Sequence, residues 1–270
     1  MQFNNSMILL VIFSVCIILE RFRPLRKNRE SWNRILSNIF LSLVAIPFTR
    51  LMGLPLVLFV AYNVESNKWG ILNIFKSNEM PNHLPVIILG FFILDYVHYW
   101  WHVINHKVST LWRFHQVHHT DRDMDVSTAL RFHFGELLIS ALLRCIVILI
   151  TGIQIETVVL FDLTVTSIAL FHHSNLKLPK GLEKYLSLIL VTPIYHQNHH
   201  SYILEETNSN FATIFSLWDR IHRTFTKQNL PTDIIIGHPA FKEDELQFFK
   251  LIKMPLQELK KWPVNLLKRN

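Results

Sequence analysis

Five apolar runs order the chain. The first, Ser6 to Leu19, is followed at once by a basic block. The second, Ile35 to Ala61, is interrupted by Pro47, Arg50, Gly53 and Pro55. It is long enough to cross a bilayer once while kinked, or to enter and turn back. A polar stretch from Tyr62 to His83 separates it from Leu84 to Trp101. Leu137 to Ile150 and Ile155 to Phe171 follow, joined by Thr151-Gly152-Ile153-Gln154, the short connection of a helical hairpin. No period-2 strand pattern, internal repeat or low-complexity tract competes with these runs. The predicted fold class is all-α, an integral-membrane helical bundle of about four or five transmembrane helices.

Charge sets the expected orientation. The basic block behind the first run (Arg21, Arg23, Arg26, Lys27, Arg29, Arg34) marks the cytoplasmic side. Charge that follows a run, with no small-residue cleavage site, predicts an anchor rather than a signal peptide. If the second run crosses once, parity returns the chain to the cytoplasm near His102 and again near His173. Composition agrees with a membrane protein: 50% of residues are hydrophobic and 17% charged, against about 25% charged in soluble domains. The net charge of +7 comes with no nucleic-acid recognition motif, so nucleic acid is not an expected partner. The basic block and the tail (Lys260, Lys261, Lys268, Arg269) flank apolar segments, which points to anionic lipid headgroups. Cys16 and Cys145 both lie in apolar runs, and neither forms a Cys-x-x-Cys pair. Three regions are expected: 1–92 as a transmembrane anchor, 93–226 as the catalytic region, and 227–270 as an amphipathic, basic tail. The tail suits either an interfacial helix or a packing helix.

Histidine changes the picture. Of fifteen histidines, twelve lie between His98 and His200. The sequence reads His98-x3-His102-x3-His106, then His115-x2-His118-His119, His172-His173-Ser174-Asn175, and His196-x2-His199-His200. Residues three or four apart on a helix share a face, so each triad presents three imidazoles on one side of a turn. Clustered without metal, such rings would leave buried nitrogens unpaired at roughly 1–3 kcal/mol each. Eight or nine imidazoles exceed what one ion accepts, which favours two ions sharing the set. Imidazole suits iron, zinc, copper and nickel alike. A membrane setting suggests chemistry on a lipid chain, where an unactivated C–H bond calls for a redox metal and O2. That favours iron over zinc.

The segment from about Ile93 to Phe225 resembles the fatty acid hydroxylase superfamily, which includes the sterol desaturases. The ordered elements His-x3-His, His-x2-His-His and His-x2-His-His carry the resemblance, with the flanks Leu111-Trp112-Arg113-Phe114 and Ser216-Leu217-Trp218-Asp219-Arg220. It implies a membrane non-haem di-iron enzyme that uses O2 to hydroxylate or desaturate a fatty acyl chain, sterol or isoprenoid. Its metal site would face the cytoplasm. Carried over by position, the implied metal ligands are His102, His106, His115, His118, His119, His196, His199 and His200, with His173 as a ninth. Electrons would come from a separate donor, cytochrome b5 or a ferredoxin with its reductase, since no His-Pro-Gly-Gly haem signature occurs. The chain departs from the pattern at Val103, at Ala212 and at Ile221-His222-Arg223-Thr224, which weakens assignment to a subfamily.

Several residues stay open. His98 and His102 form an alternative His-x3-His element, although the nine-residue gap from His106 to His115 favours the later pair. His98 then becomes a supporting group, held by Asp95. Asp95, Asp162 and Asp219 are candidates for the outer N–H of a bound imidazole, Asp219 alternatively being a surface ion pair. His133 is a possible additional ligand. His172 should point away from His173, and His83, His222 and His238 default to structural roles. Arg144, in the middle of a run, should face protein or water and has Asp162 as a partner on the paired helix. The aromatics Tyr96, Tyr99, Trp100 and Trp101 suit the membrane interface, or else a substrate tunnel. A zinc hydrolase would need a His-Glu-x-x-His arrangement, which is absent. A histidine-rich metal-binding or transport protein would carry its histidines inside the spans.

Overall fold

A computed structural model describes residues 2–27, 32–75, 84–226 and 234–263, and its regular structure is helical, with only isolated β-bridges among those residues. Arg29, His83, Lys268 and Arg269 lie outside the described residues. Five helical stretches are long and apolar enough to cross a membrane. They are α1 (Gln2–Phe22), a bent run, α4 (Leu84–Lys107), α6 (Phe134–Thr151) and α7 (Ile155–His173).

The bent run consists of α2 (Trp32–Phe48), a π-helical turn (Thr49–Gly53) and α3 (Leu54–Ser66). Pro47 lies inside α2 and cannot donate to the helical ladder, so the helix widens one turn later. The run nevertheless keeps one direction along α6. The Phe48 and Phe134 rings lie 5.0 Å apart. A Cβ on Gly53 would meet Ala141 at 3.4 Å, and one on Gly70 would sit 2.1 Å from the Gly152 amide nitrogen. The second apolar run therefore passes along the bundle once and does not turn back. Its far end depends on two glycines in the left-handed region, Gly70 (φ 89°) and Gly152 (φ 78°), where backbones touch.

Small residues let α3, α6 and α7 approach closely. Gly53, Ala61, Ala141 and Cys145 are buried there, with Val57, Ile148, Val158 and Phe161 filling the space between them. The C-terminal ends of α4 and α7 and the N-terminal end of α6 meet at one end of the bundle. A layer of short helices covers that end: α5 (Ser109–His119), α8 (Lys180–Leu186), α9 (Pro193–His199), α10 (Leu204–Thr207), α11 (Leu217–Ile221) and α12 (Phe248–Lys253).

A buried polar network ties α2 to α5. Asp121 accepts from Arg34 Nη1 at 3.1 Å, Asn38 Nδ2 at 3.0 Å and Thr128 Oγ1 at 2.8 Å. Arg131 donates to the Val117 carbonyl (2.9 Å), Asn38 Oδ1 (2.8 Å) and Thr120 Oγ1 (2.9 Å). This corrects the expectation that the whole basic block faces lipid headgroups. Arg34 also pairs with Asp125, and Arg26 pairs with Asp123 at 2.8 Å, so both turn into the covering layer. In the tail, Lys260 pairs with Glu245. The tail also forms no long amphipathic helix within the described residues. α12 is six residues long, and Leu251 and Met254 beside it are buried with Leu41 and Val117. Of the aromatics expected at the interface, Tyr99 and Trp101 are buried while Tyr96 and Trp100 remain exposed.

Candidate metal centre

The fold gathers nine histidines into two adjoining groups. His102, His106, His115, His119 and His199 form one, and His118, His173, His196 and His200 form the other. Within each group, one nitrogen per ring lies within 4.8 Å of all the others. These are the nine residues singled out by spacing and resemblance. The partition between groups was not foreseen. Each His-x-x-His-His triad is divided: α5 sends His115 and His119 to the first group and His118 to the second. α9 and its C-cap do the reverse, sending His196 and His200 to the second and His199 to the first. On an α-helix, the residue four on returns to within about 40° of the first, while the residue three on lies about 60° to the other side. One triad can therefore face two ions. The groups are in contact, the His119 and His200 rings stacking at 4.5 Å.

Nδ1 partners fix the rings and their protons. His102 Nδ1 donates to the Phe211 carbonyl at 2.7 Å, His199 Nδ1 to the Ser209 carbonyl at 2.7 Å, and His173 Nδ1 to the Ala169 carbonyl at 2.7 Å. His115 Nδ1 donates to Glu136 Oε1 at 2.8 Å. With Nδ1 carrying the proton, each Nε2 keeps a bare lone pair. The Nε2 atoms of His102 and His115 nevertheless stand 3.1 Å apart. His173 Nε2 lies 3.0 Å from His118 Nε2 and 3.1 Å from His196 Nε2. For His102 and His115, both protonated at Nδ1, two lone pairs at that distance repel unless a cation lies between them. Burial, reinforced by neighbouring imidazoles, holds His118, His119, His196 and His200 well below the usual histidine range. His199 is lowered to about 3, mainly by burial. The rings are neutral and ready to ligate, and His106 Nε2 and His199 Nε2 have no hydrogen-bond partner. The donor set fits a metal site.

Supporting residues differ from the expected ones. Asp95 does not hold His98; it accepts from Trp218 Nε1 at 2.6 Å and the Phe215 amide at 3.4 Å, and so fixes α11 to α4. Asp219 is fully buried and no surface ion pair. It accepts from the Phe211 and Ala212 amides, each at 2.8 Å, from Tyr195 Oη at 2.9 Å and from Thr224 Oγ1 at 2.6 Å. Asp219 therefore acts one layer out, shaping the loop whose carbonyls orient His102 and His199. His133 caps α6 through the Gly135 amide and meets the Ile252 carbonyl at 3.1 Å, outside both groups. His98 lies outside both groups too. So does His172, whose ring lies 4.0 Å from that of His196. His222 is enclosed by the rings of Tyr96, Tyr99 and Trp100, and His238 is buried against Trp262. Asp162 supports no clustered imidazole and instead pairs with Arg144, its other expected partner.

The residue that sequence reasoning missed is Glu136. An acid in the first turn of an apolar span is costly unless it has a task, and that was the available signal. Glu136→Leu should lower metal affinity or turnover about 10–100-fold, with Glu136→Gln between it and wild type, since its amide oxygen still accepts from Nδ1–H. Identical metal titrations for wild type and Glu136→Leu would remove the positioning role.

A cavity of about 460 Å³ runs from the histidines into the membrane-spanning bundle. His102, His115, His118, His173 and His196 form its inner end, and α1, the π-turn, α3, α6 and α7 supply its walls.

The fatty acid hydroxylase family model matches residues 87–224. The chain is 30% identical over 166 residues to an ornithine lipid hydroxylase, OlsE, of Rhizobium tropici, covering 60% of this chain and 49% of that protein. It is 29% identical over 242 residues to an alkylglycerol monooxygenase of Xenopus tropicalis, covering 85% and 49%. To a cholesterol 25-hydroxylase of Mus musculus it is 24% identical over 161 residues, covering 59% and 53%. The chain thus spans about half the length of these curated relatives, and no solved structure matches it. The family match covers a little over half of the chain and includes all nine clustered histidines, so the chain belongs to the fatty acid hydroxylase family.

Proposed function

We propose that the protein is a membrane-bound di-iron oxygenase that hydroxylates a bilayer lipid, with desaturation as the related outcome. The observation that carries this reading is a pair of adjoining imidazole groups, buried at every ring but His106, whose members line a largely apolar cavity. The nine clustered histidines would hold two irons, and iron supplies the redox chemistry with O2 that an unactivated C–H bond requires. In the net reaction, one oxygen atom enters the lipid as a hydroxyl and the other leaves as water. Two electrons come from a separate donor, cytochrome b5 or a ferredoxin with its reductase, and two protons come from water. The relatives named as hydroxylases or a monooxygenase of ornithine lipid, alkylglycerol and cholesterol support a lipid substrate.

The chain's own part is orientation and exclusion of water. Phe211, Ser209 and Ala169 carbonyls and the Glu136 carboxylate lock ring tautomers before any substrate arrives. Phe132 stacks on His118 at 4.3 Å, and Trp101 and Leu137 line the cavity wall. Substrate enters from the bilayer, because the cavity lies among membrane-spanning helices. The metal end faces the cytoplasm, on the side of the basic block. Histidines that sit together at span ends, and do not continue through the spans, speak against a transporter.

The test is metal analysis of the purified protein together with 18O2 labelling of membranes expressing it, supplied with reductant. Two irons per chain and one 18O atom in a new hydroxylated lipid are expected. A protein without iron, or lipids carrying neither the label nor a new O2-dependent double bond, would overturn the assignment.

A further inference from the structure

The ion pair between Arg144 on α6 and Asp162 on α7 is placed where a membrane helix hairpin has no structural need of it. The hairpin is already closed at Gly152 and packed through Cys145, Ile148, Val158 and Phe161. Charges at such depth are costly unless they serve protein or a water-filled space. Both residues line the cavity, beside His98, Ser140 and Thr166. Neither is sealed off, since their side chains keep 19% and 30% of their accessible surface. The pair uses Arg144 Nη1 and Asp162 Oδ1. Among the described residues no other hydrogen bond is made by either side chain, and the guanidinium also lies over the Phe161 ring at 5.8 Å.

We propose that this pair is the polar recognition station of the cavity and selects a lipid carrying an uncharged hydroxyl group. This rests on the reading of the cavity as a substrate site. A hydroxyl can donate to the free oxygen of Asp162 and accept from a free N–H of Arg144 at once. A carboxylate or phosphate would face Asp162, and an ammonium would face Arg144, each a like charge at low dielectric. The other cation lining the cavity, Arg50, lies at the π-turn, is exposed, and is bonded to Ser6 Oγ at 3.1 Å. An anionic lipid would choose Arg50, which makes the charge of the preferred lipid diagnostic. The station is also a ruler. Arg144 lies eight residues beyond Glu136, about 12 Å along α6, and Asp162 lies eleven residues before His173, about 16 Å along α7. A hydroxyl held there fixes which carbon of the chain reaches the histidines.

Binding of tritiated 1-hexadecanol to the metal-loaded protein in nanodiscs, with hexadecane and hexadecanoate as competitors, tests the proposal. Wild type should prefer the alcohol to both competitors by at least about tenfold. The double variant Arg144→Met/Asp162→Leu removes both charges, and Arg144→Asp/Asp162→Arg keeps an ion pair while exchanging donor and acceptor. Both should retain metal content and thermal midpoint, yet lose the preference. In turnover with C14, C16 and C18 alkanols, the oxidised carbon should stay at a constant count from the hydroxyl in wild type and scatter in the variants. Equal binding of the alcohol and the alkane by wild type, a hexadecanoate preference abolished by Arg50→Gln, or a preference kept in both double variants would each overturn it. Wild-type competition decides the matter even if neither variant folds. Selective alcohol binding without oxidised product would instead fail the oxygenase reading and leave this one standing.

Discussion

His118→Ala should lose one ion of two, whereas His119→Ala should keep most of both. The difference follows from the division of the α5 triad. His118 belongs to the group of four imidazoles, and its removal leaves three rings whose Nε2 atoms were spaced for a fourth. His119 belongs to the group of five, and four rings remain after its removal. Turnover should fall on the order of 100-fold or more in His118→Ala, at or beyond the upper end seen when outer supports of metal ligands are removed, and by less in His119→Ala. Metal content per chain by plasma mass spectrometry, alongside lipid product yield, makes the comparison. Equal metal loss from the two variants would mean that the groups do not act as two sites. Two ions retained by His118→Ala would mean that the second group is not a site at all.

Asp121→Ala is expected to be the most damaging substitution that touches no histidine. Asp121 is fully buried and faces Arg34, Asn38 and Thr128. Burial draws the Arg131 guanidinium down to about 10, and Asp121 is the acid that opposes this. Removing it leaves buried positive charge without compensation, at a cost of about 3–5 kcal/mol. Burial alone would also raise the Asp121 carboxyl, but Arg34, Arg131 and the hydrogen bonds of Thr128 and Asn38 hold it below the usual carboxylate range. A carboxyl depressed in the folded state contributes stability that is complete above its unfolded value, about pH 4, and that disappears as pH falls through the folded value. Wild type should therefore lose this contribution only below about pH 4, and Asp121→Ala should lack it at every pH. Thermal unfolding in detergent across pH 3 to 8 measures both, and a variant as stable as wild type at pH 7 would exclude the role.

What the sequence discloses depends on how local each feature is. Eight of the nine histidines stand out because ligation by a helix requires spacings of three and four, and those survive in the linear order, whereas His173 was marked only by the resemblance. The apolar spans are legible for the same reason, since each is continuous. The inward turn of Arg26 and Arg34 is not legible, because the aspartates that receive them lie some ninety residues later. Nor are the supports of His102 and His199, which are main-chain carbonyls of Phe211 and Ser209 and carry no side-chain signature. Asp95 and Asp219 were visible as acids near the motifs, but their partners, an indole and a set of loop amides, emerge only from packing. The passage of the second run along α6 depends on Gly53 and Gly70 meeting Ala141 and Gly152, contacts between eighty and ninety positions apart.

The crossed allegiance of the two triads has a consequence for assembly of the holoenzyme. In the proposed two-iron site, whichever ion arrived first would draw rings from both α5 and α9, and so would immobilise the same two short helices that its successor needs. The ordering entropy is spent on the first arrival, which leaves the second with a prepared socket. Filling is then cooperative, and molecules holding a single ion should be the rarest species in a partly supplied cell.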